Sequence, residues 1–176
     1  MKQRNFSFLK KLILLILIIG VVLVSIFVFY LYNIDKKNKM TFDETSEMVI
    51  KDTEMTQISQ KHSFQEKELY HIFLGKNDSD EDLIASVHLP EKIKEITKKD
   101  IQIYKSTDYI SEQSMLNEWE QICDQCQFIQ IQPALIENDL LWEIKYNDID
   151  NRYVFDYYLM SDGSEYESFK LKRNFN

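Results

Sequence analysis

The pair Cys123 and Cys126 forms a C-x-x-C motif, a pattern that lowers thiol pKa in redox proteins and supplies half of some zinc sites. Redox motifs of this type lie at a helix N-terminus, where the helix dipole stabilises the thiolate. Here the pair ends an apolar stripe, near the C-terminal end of a predicted helix. Further zinc ligands would have to be His62, His71 and His88, which lie in the first half without paired spacing. Core packing is the favoured interpretation, with a disulfide or a metal or redox site as the alternatives.

An acidic run at residues 78–82 has the D-x-D-x-D spacing that opens a calcium-binding loop. Such a loop needs glycine at its sixth position and glutamate at its twelfth, and those positions hold Leu83 and Leu89. The run therefore predicts a solvated hairpin turn.

The motifs of hydrolases and transpeptidases are missing from the sequence. There is no G-x-S-x-G, and three glycines are too few for a glycine-rich phosphate loop or oxyanion nest. One S-x-x-K runs from Ser7 to Lys10, before the apolar run described below, and no K-T-G accompanies it. The sequence predicts a protein that is not an enzyme, without catalytic residues, cofactor or metal site.

Charge is divided unevenly along the chain. Residues 1–39 contain seven basic residues and one acid, whereas residues 40–176 contain 14 basic residues and 28 acids. Duplex affinity depends on Lys and Arg that neutralise phosphates, so the acidic majority argues against a nucleic-acid partner. An apolar fraction of 44% is too high for a disordered chain.

Residues 12–32 form an uncharged apolar run that only Gly20 and Ser25 interrupt. At about 1.5 Å of rise per residue, it spans roughly 31 Å, the hydrocarbon thickness of a bilayer. It is longer than the apolar region of a cleaved signal peptide and lacks an A-x-A-like site. A retained transmembrane helix in contact with the lipid bilayer is therefore predicted.

Basic residues without acids precede this run, and acids accompany the lysines that follow it. Because cytoplasmic flanks carry the excess of Lys and Arg, the N-terminus is predicted in the cytoplasm. The chain is then a single-pass protein of the cell membrane with residues 40–176 outside the cell.

Two helix starts are visible in the outer part. Thr41 and Glu44 have the spacing of a capping box, which predicts a helix running towards Ser59. Ser111 can cap a second helix, with Ile110 stapled onto the fourth residue after the cap. The predicted apolar stripe of this helix consists of Met115, Leu116, Trp119, Ile122, Cys123 and Cys126.

Four strand-like runs follow each helix. They are predicted at residues 57–64, 69–75, 83–89, 92–97, 128–136, 140–147, 152–159 and 165–171. The segments beginning at Leu69 and Leu141 align at an offset of 72 residues, which indicates two copies of a helix packed on a small antiparallel sheet. The cluster of Tyr153, Phe155, Tyr157 and Tyr158 is interpreted as a core face with one neighbour, and an aromatic binding surface is the alternative.

This order of elements, with the strand at 140–146, the strand at 152–159 and the turn at Asp162 and Gly163, resembles the TseB-like (YpmB) cell-wall elongation regulators of Gram-positive bacteria. The resemblance covers essentially the whole chain and implies an α+β fold in which one transmembrane helix precedes two tandem PepSY-like, cystatin-like domains. The predicted organisation is a cytoplasmic leader at 1–11, a transmembrane helix at 12–32, a tether at 33–40, a first PepSY-like domain at 41–98, a linker at 99–109 and a second PepSY-like domain at 110–176.

The resemblance also implies a function: a non-catalytic role in cell-wall elongation through binding to a membrane-bound class B penicillin-binding protein. It does not identify the partner-binding residues. The competing expectation is a protease-inhibitory or sensory binding module at the cell surface, as in other PepSY proteins.

Overall fold

The structure is a computed structural model that describes residues 14–29, 40–90 and 96–171. The chain divides into two compact units, Met1–Met40 and Thr41–Asn176. In the first unit residues 14–29 form a helix, α1, with exposed side chains. Within the described ranges, no helix has both the length and the apolar character that a membrane crossing requires. The two ends of the predicted span at 12–32, the leader at 1–11 and residues 33–39 of the tether lie outside the described residues.

The second unit contains two successive modules, each with one α-helix and a four-stranded antiparallel sheet, so the α+β class is confirmed. The strands are ordered β1-β2-β3-β4 in the first sheet and β5-β6-β7-β8 in the second. The elements are α2 (Phe42–Asp52), β1 (Gln57–Gln65), β2 (Leu69–Lys76), β3 (Asp82–Leu89), β4 (Ile101–Lys105), α3 (Glu112–Ile122), β5 (Gln127–Ile136), β6 (Asp139–Asn147), β7 (Tyr153–Leu159) and β8 (Glu165–Leu171).

Helix α2 begins at the predicted capping box. The Glu44 backbone N–H donates to the Thr41 hydroxyl, and the Thr41 N–H donates to the Glu44 carboxylate at 2.8 Å. The helix ends at Asp52, so its predicted extension towards Ser59 is wrong. The reason is competition for backbone partners: the N–H of Thr56, just before β1, already donates to the carbonyl of a residue in β2.

Helix α3 begins as predicted, with the hydroxyl of Ser111 accepting from a backbone N–H of the first turn. Met115 and Trp119 are buried, as the apolar stripe predicts. Ile122 is 70% exposed, so the stripe is wrong at its last helical residue. The helix ends there with Cys123 as its C-cap, and the chain turns away into β5.

Seven of the eight predicted strands are present within a residue or two of their predicted ends. The exception is the fourth strand, predicted at 92–97. The strand that pairs with β3 is instead Ile101–Lys105, inside the segment 99–109 predicted as a linker. Eleven residues connect β3 to β4, against five between β7 and β8. Residues 91–95 of this longer connection lie outside the described residues.

The two modules repeat each other with an offset of 71 residues along their second strands. A β-bulge follows the pair Ile58–Gly75 in the first sheet and the pair Phe128–Tyr146 in the second. When the two bulges are superposed, Gly75 becomes equivalent to Tyr146. The predicted alignment of Leu69 with Leu141 is therefore off by one residue, and a shift of one residue exchanges the two faces of a strand. At 71, His71 is equivalent to Trp142, and both point to the helix side of their sheets.

Each sheet packs its helix on one face. In the first module, buried Val49 of α2 and Phe73 of β2 belong to this layer. The opposite face of the first sheet packs towards the second module. Its residues Phe64, Ile72 and Ile84 belong to the same apolar cluster as Trp119 and others of the second module. Small domains bury proportionally little surface, so this shared cluster stabilises both modules.

Candidate protein-binding face

The face of the second sheet that points away from α3 carries a group of partly exposed aromatic and charged side chains. We call it the distal face. Strand register places its members side by side, since Lys145 pairs with Phe155 and Phe155 pairs with Phe169. The distal face comprises Gln130, Gln132, Glu143, Lys145, Tyr153, Phe155, Tyr157, Glu167, Phe169 and Leu171.

Glu143 is the polar centre of the distal face and is only 4% exposed. Its carboxylate accepts hydrogen bonds from the Gln132 amide at 2.5 Å and the Tyr157 hydroxyl at 2.7 Å, and the Lys145 ammonium lies at 2.9 Å. A buried carboxylate is tolerated when it is paired and hydrogen-bonded in this way. Burial, followed by the hydrogen bond to Glu143, raises the pKa of Tyr157 above its usual value, so its phenol stays protonated and donates.

Aromatic contacts extend from this centre towards β8. The Lys145 ammonium lies 5.8 Å from the centre of the Phe155 ring, within the range of a cation–π interaction. The rings of Tyr157 and Phe169 meet edge to face at 6.1 Å. Phe169 is 47% exposed and Leu171 55% exposed, so the apolar surface continues to the sheet edge. The distal face is thus fixed at its centre and open along β8.

Strand β8 is the outermost strand of its sheet, and all seven of its residues are exposed. It is nevertheless fixed to β7 on its inner side. The Ser168 hydroxyl donates to the buried carboxylate of Asp156 at 2.6 Å, and the Tyr146 hydroxyl donates to the same carboxylate at 2.7 Å. An ordered strand with one open edge is a common docking element for another extended chain.

The four residues of the predicted aromatic cluster divide between two faces. Tyr158 is buried on the α3 side of the sheet, whereas Tyr153, Phe155 and Tyr157 are half-buried on the distal face. The interpretation of this alternating set as a core face is therefore wrong for Tyr153 and Phe155, whereas partly buried Tyr157 does pack against the apolar cluster and meets Phe64 edge to face. The buried set of β7 is the one that contains Val154 and Asp156, because α3 covers that side. The alternative, an aromatic surface, is compatible with the observed exposure.

Cys123 and Cys126 are joined by a disulfide at the C-terminal end of α3, and both are partly exposed. Both cysteines also pack against the apolar cluster of the second module, so the favoured interpretation of core packing is confirmed in part, and the disulfide alternative holds as well. The predicted position at the helix C-terminus is confirmed.

The three histidines have partners other than the cysteines: His62 bonds to Gln60, and His88 lies 3.4 Å from Glu68. The ring of His71 is buried, shares a hydrogen bond of 2.9 Å with the Thr45 hydroxyl and stacks on Phe42 at 4.1 Å. Burial lowers the pKa of His71 to about 4, so the ring is neutral near pH 7 and acts as a packing residue. Over the described ranges, no group of three or more His, Cys, Asp or Glu side chains could hold a metal ion.

Residues 78–81 of the acidic run lie in the turn between β2 and β3, as predicted, and Asp82 begins β3. The Asn77 side chain accepts from the backbone N–H groups of Ser79 and Glu81, which closes the turn. Lys76 neutralises part of the acidic charge through an ion pair with Asp80 at 2.8 Å.

The sequence did not indicate that the open part of this surface lies on β8. Glu167, Phe169 and Leu171 share a face, but one of the three is charged, so apolar and polar residues do not alternate regularly along β8. The local signal is weak because the strand has no buried residue at all. Only its position at the end of the strand order identifies it as a docking element.

Comparison with known proteins yields a likeness of fold. No protein-family model matches this chain, and no curated protein matches it. Among solved structures, the YpmB protein from Bacillus subtilis superposes with a TM-score of 0.63 and 20% sequence identity, over 76% of this chain and 99% of that one. The chain therefore has a YpmB-like α+β fold with two tandem modules.

Proposed function

We propose that this chain is a membrane-anchored, extracytoplasmic and non-catalytic regulator of cell-wall elongation in a Gram-positive bacterium. It acts by binding a membrane-bound class B penicillin-binding protein. The likeness of fold to YpmB carries the proposal, together with the sequence resemblance to the TseB-like family. The distal face supports a binding role, because it combines exposed Phe169 and three half-buried aromatic side chains with a fixed polar centre.

The proposed topology follows from the charge of the chain. The apolar run at 12–32 is flanked on its N-terminal side by uncompensated basic residues, which favours a cytoplasmic N-terminus. Residues 40–176, with a net charge of −14, then face outward. A reporter fused after Asn176 is expected to be active only outside the cytoplasm, and activity confined to the cytoplasm would refute the topology.

A short tether restricts where the partner can be. The eight residues at 33–40 reach no more than about 28 Å even when fully extended. Tethering beside a membrane-bound partner raises its effective concentration, so a flexible insertion after Lys39 is expected to weaken function. Secretion of residues 40–176 as a soluble form provides the decisive comparison. Full complementation by that form at ordinary expression levels would contradict a membrane-proximal mode of action.

Site-specific photo-crosslinking in native membranes tests the partner directly. Benzoylphenylalanine replaces Phe169 on the distal face in one strain and Ile122, an exposed residue at the end of α3, in the control strain. A class B penicillin-binding protein is expected to be crosslinked from position 169 and not from position 122. Recovery of a secreted protease from position 169 would favour a protease-inhibitory module instead.

A further inference from the structure

We propose that the open edge of β8 receives an extended, basic segment of a partner protein, which adds to the second sheet as a fifth strand. This inference rests on the proposed function in one respect, that the chain acts by binding another protein. It goes further by naming the docking element and the chemistry of the segment that it accepts.

The open edge of β8 provides the backbone part of the site. No strand within the described ranges pairs with this edge, so alternate N–H and C=O groups along seven residues face outward. Natural edge strands are usually short, covered or bulged. The bulge opposite Tyr157 and Tyr158 leaves the stretch from Glu167 to Leu171 regularly paired with β7. That stretch is long enough to template a short added strand.

Charge selects a basic occupant. Besides the buried Glu143, four carboxylate residues contribute negative charge at half-buried Tyr157 of β7 or at exposed Tyr166 of β8: Glu66, Glu137, Asp139 and Glu167. Lys67 lies within 4.0 Å of both Glu66 and Glu137 and balances one of these two charges, and Lys145 pairs with the buried Glu143. On β8 itself, Lys170 and Glu165 both lie on the α3 side, because Lys170 pairs with Val154 and Glu165 pairs with Tyr158. Among the described residues, the acids around this part of the sheet therefore outnumber the lysines that reach them, and this excess of negative charge favours Lys or Arg in the incoming segment.

The same charge argues against a second copy of this chain as the occupant. A second copy offers no lysine on the distal face of β8 to meet Glu167, and antiparallel pairing about that residue would place the two Glu167 side chains opposite each other. Like charges opposite each other destabilise a strand pair. The rest of the outer part is also acidic, at 14 basic residues against 28 acids. Electrostatic attraction therefore favours a basic partner over a second copy of this chain.

Side-chain alternation defines the pattern of the incoming segment. Glu167, Phe169 and Leu171 share the distal face, two residues apart. A strand laid along them would place every second side chain on this face. The matching segment therefore has a basic residue opposite Glu167 and apolar residues at the next two positions of that face.

The test measures peptide binding to the full-length chain in neutral detergent micelles. The probe is a fluorescein-labelled seven-residue peptide in which Lys, Val and Val occupy alternate positions between threonines. A control peptide carries Glu in place of Lys. Two further peptides are N-methylated at alternate backbone nitrogens, one on the odd and the other on the even positions, so that each has only one hydrogen-bonding edge blocked. Fluorescence anisotropy reports the dissociation constants.

The expected result has three parts. The basic peptide binds and the acidic one does not. One N-methylated isomer loses binding whereas the other retains it, because an added strand pairs through a single edge. Glu167→Lys and Phe169→Ser each weaken binding about tenfold. The matched controls on α3, Glu120→Lys and Ile122→Ser, leave it unchanged.

Other outcomes overturn the inference. Equal effects of the two N-methylated isomers would mean that the edge is not the docking element. Equal binding of the acidic peptide would refute charge selection. Concentration-dependent dimers that Glu167→Lys alters would make a second copy the occupant. If the basic peptide fails in any of these ways while position 169 still crosslinks to a penicillin-binding protein, the strand-addition inference fails and the proposed function stands.

Discussion

Trp142 offers a test of the link between the second helix, the second sheet and the segment that enters them. Its side chain is 3% exposed, and the indole N–H donates to the Ile110 carbonyl at 2.8 Å. Ile110 in turn donates its N–H to the Met160 carbonyl at 2.7 Å. Ile110, on the approach to α3, is thus held through both its backbone N–H and its backbone carbonyl.

Two substitutions separate packing from hydrogen bonding at this site. Trp142→Ala removes a buried indole and is expected to lower the free energy of unfolding by about 3–5 kcal/mol. Trp142→Phe keeps most of the apolar contact and leaves the Ile110 carbonyl without its donor. Removing one partner of a buried hydrogen bond costs about 1–3 kcal/mol.

Trp119 is a matched control in the same domain. It is also 3% exposed, but its indole N–H has no hydrogen-bond partner among the described residues. Trp119→Phe therefore removes a similar ring area and no hydrogen bond. We expect Trp142→Phe to be less stable than Trp119→Phe by about 1–3 kcal/mol. Urea unfolding of the full-length chain in detergent, followed by circular dichroism, gives both values. Equal stabilities, or a more stable Trp142→Phe, would refute the role assigned to the Ile110 hydrogen bond.

Three further outcomes follow from the described contacts. The pKa of His71 is about 4 in the folded protein and about 6.5 in the unfolded chain. Its contribution to stability is therefore complete above pH about 6.5 and is lost as the pH falls towards 4. His71→Leu is expected to flatten this pH dependence of the unfolding free energy, measured by urea titration at several pH values. Glu143→Ala leaves a lysine and a tyrosine without their buried acceptor, so it should lower the unfolding free energy by about 3 kcal/mol. It should also reduce crosslinking from the distal face. Unchanged crosslinking would show that this hydrogen-bond network is not needed for partner binding. Replacing both Cys123 and Cys126 by serine should leave complementation intact, and a loss of function with the fold retained would indicate thiol chemistry instead.

Much of the fold was predictable from short segments of the sequence. Capping at Thr41 and Ser111 depends on a side chain and a backbone N–H within three residues, so the helix starts were correct. Strand alternation in β6 predicted that Trp142 is buried, because every second side chain of a strand points to the same face of the sheet. The turn in the acidic run was predictable because the glycine and the glutamate that a calcium-binding loop requires are replaced by Leu83 and Leu89.

The errors occurred where the answer depends on distant partners. The fourth strand was placed too early because the long connection after β3 has no local marker of where pairing resumes. In β7 the alternation was recognised but the wrong face was assigned to the core, since period two does not say which side a helix will cover. The same reason explains the offset of 71 in place of 72, which the two bulges fixed.

The sequence by itself determined the capped helix starts, most of the strands and the duplicated order, because caps, turns and hydrophobic periods act over a few residues. Tertiary structure alone decided which face of each sheet is buried, which strand is left at the edge and which acids gather around it. Glu66 and Glu167 are about a hundred residues apart in the chain, and both contribute to the negative field at Tyr157 and Tyr166. Such a surface exists only after two modules have packed together, since charge adds in space and not along the chain.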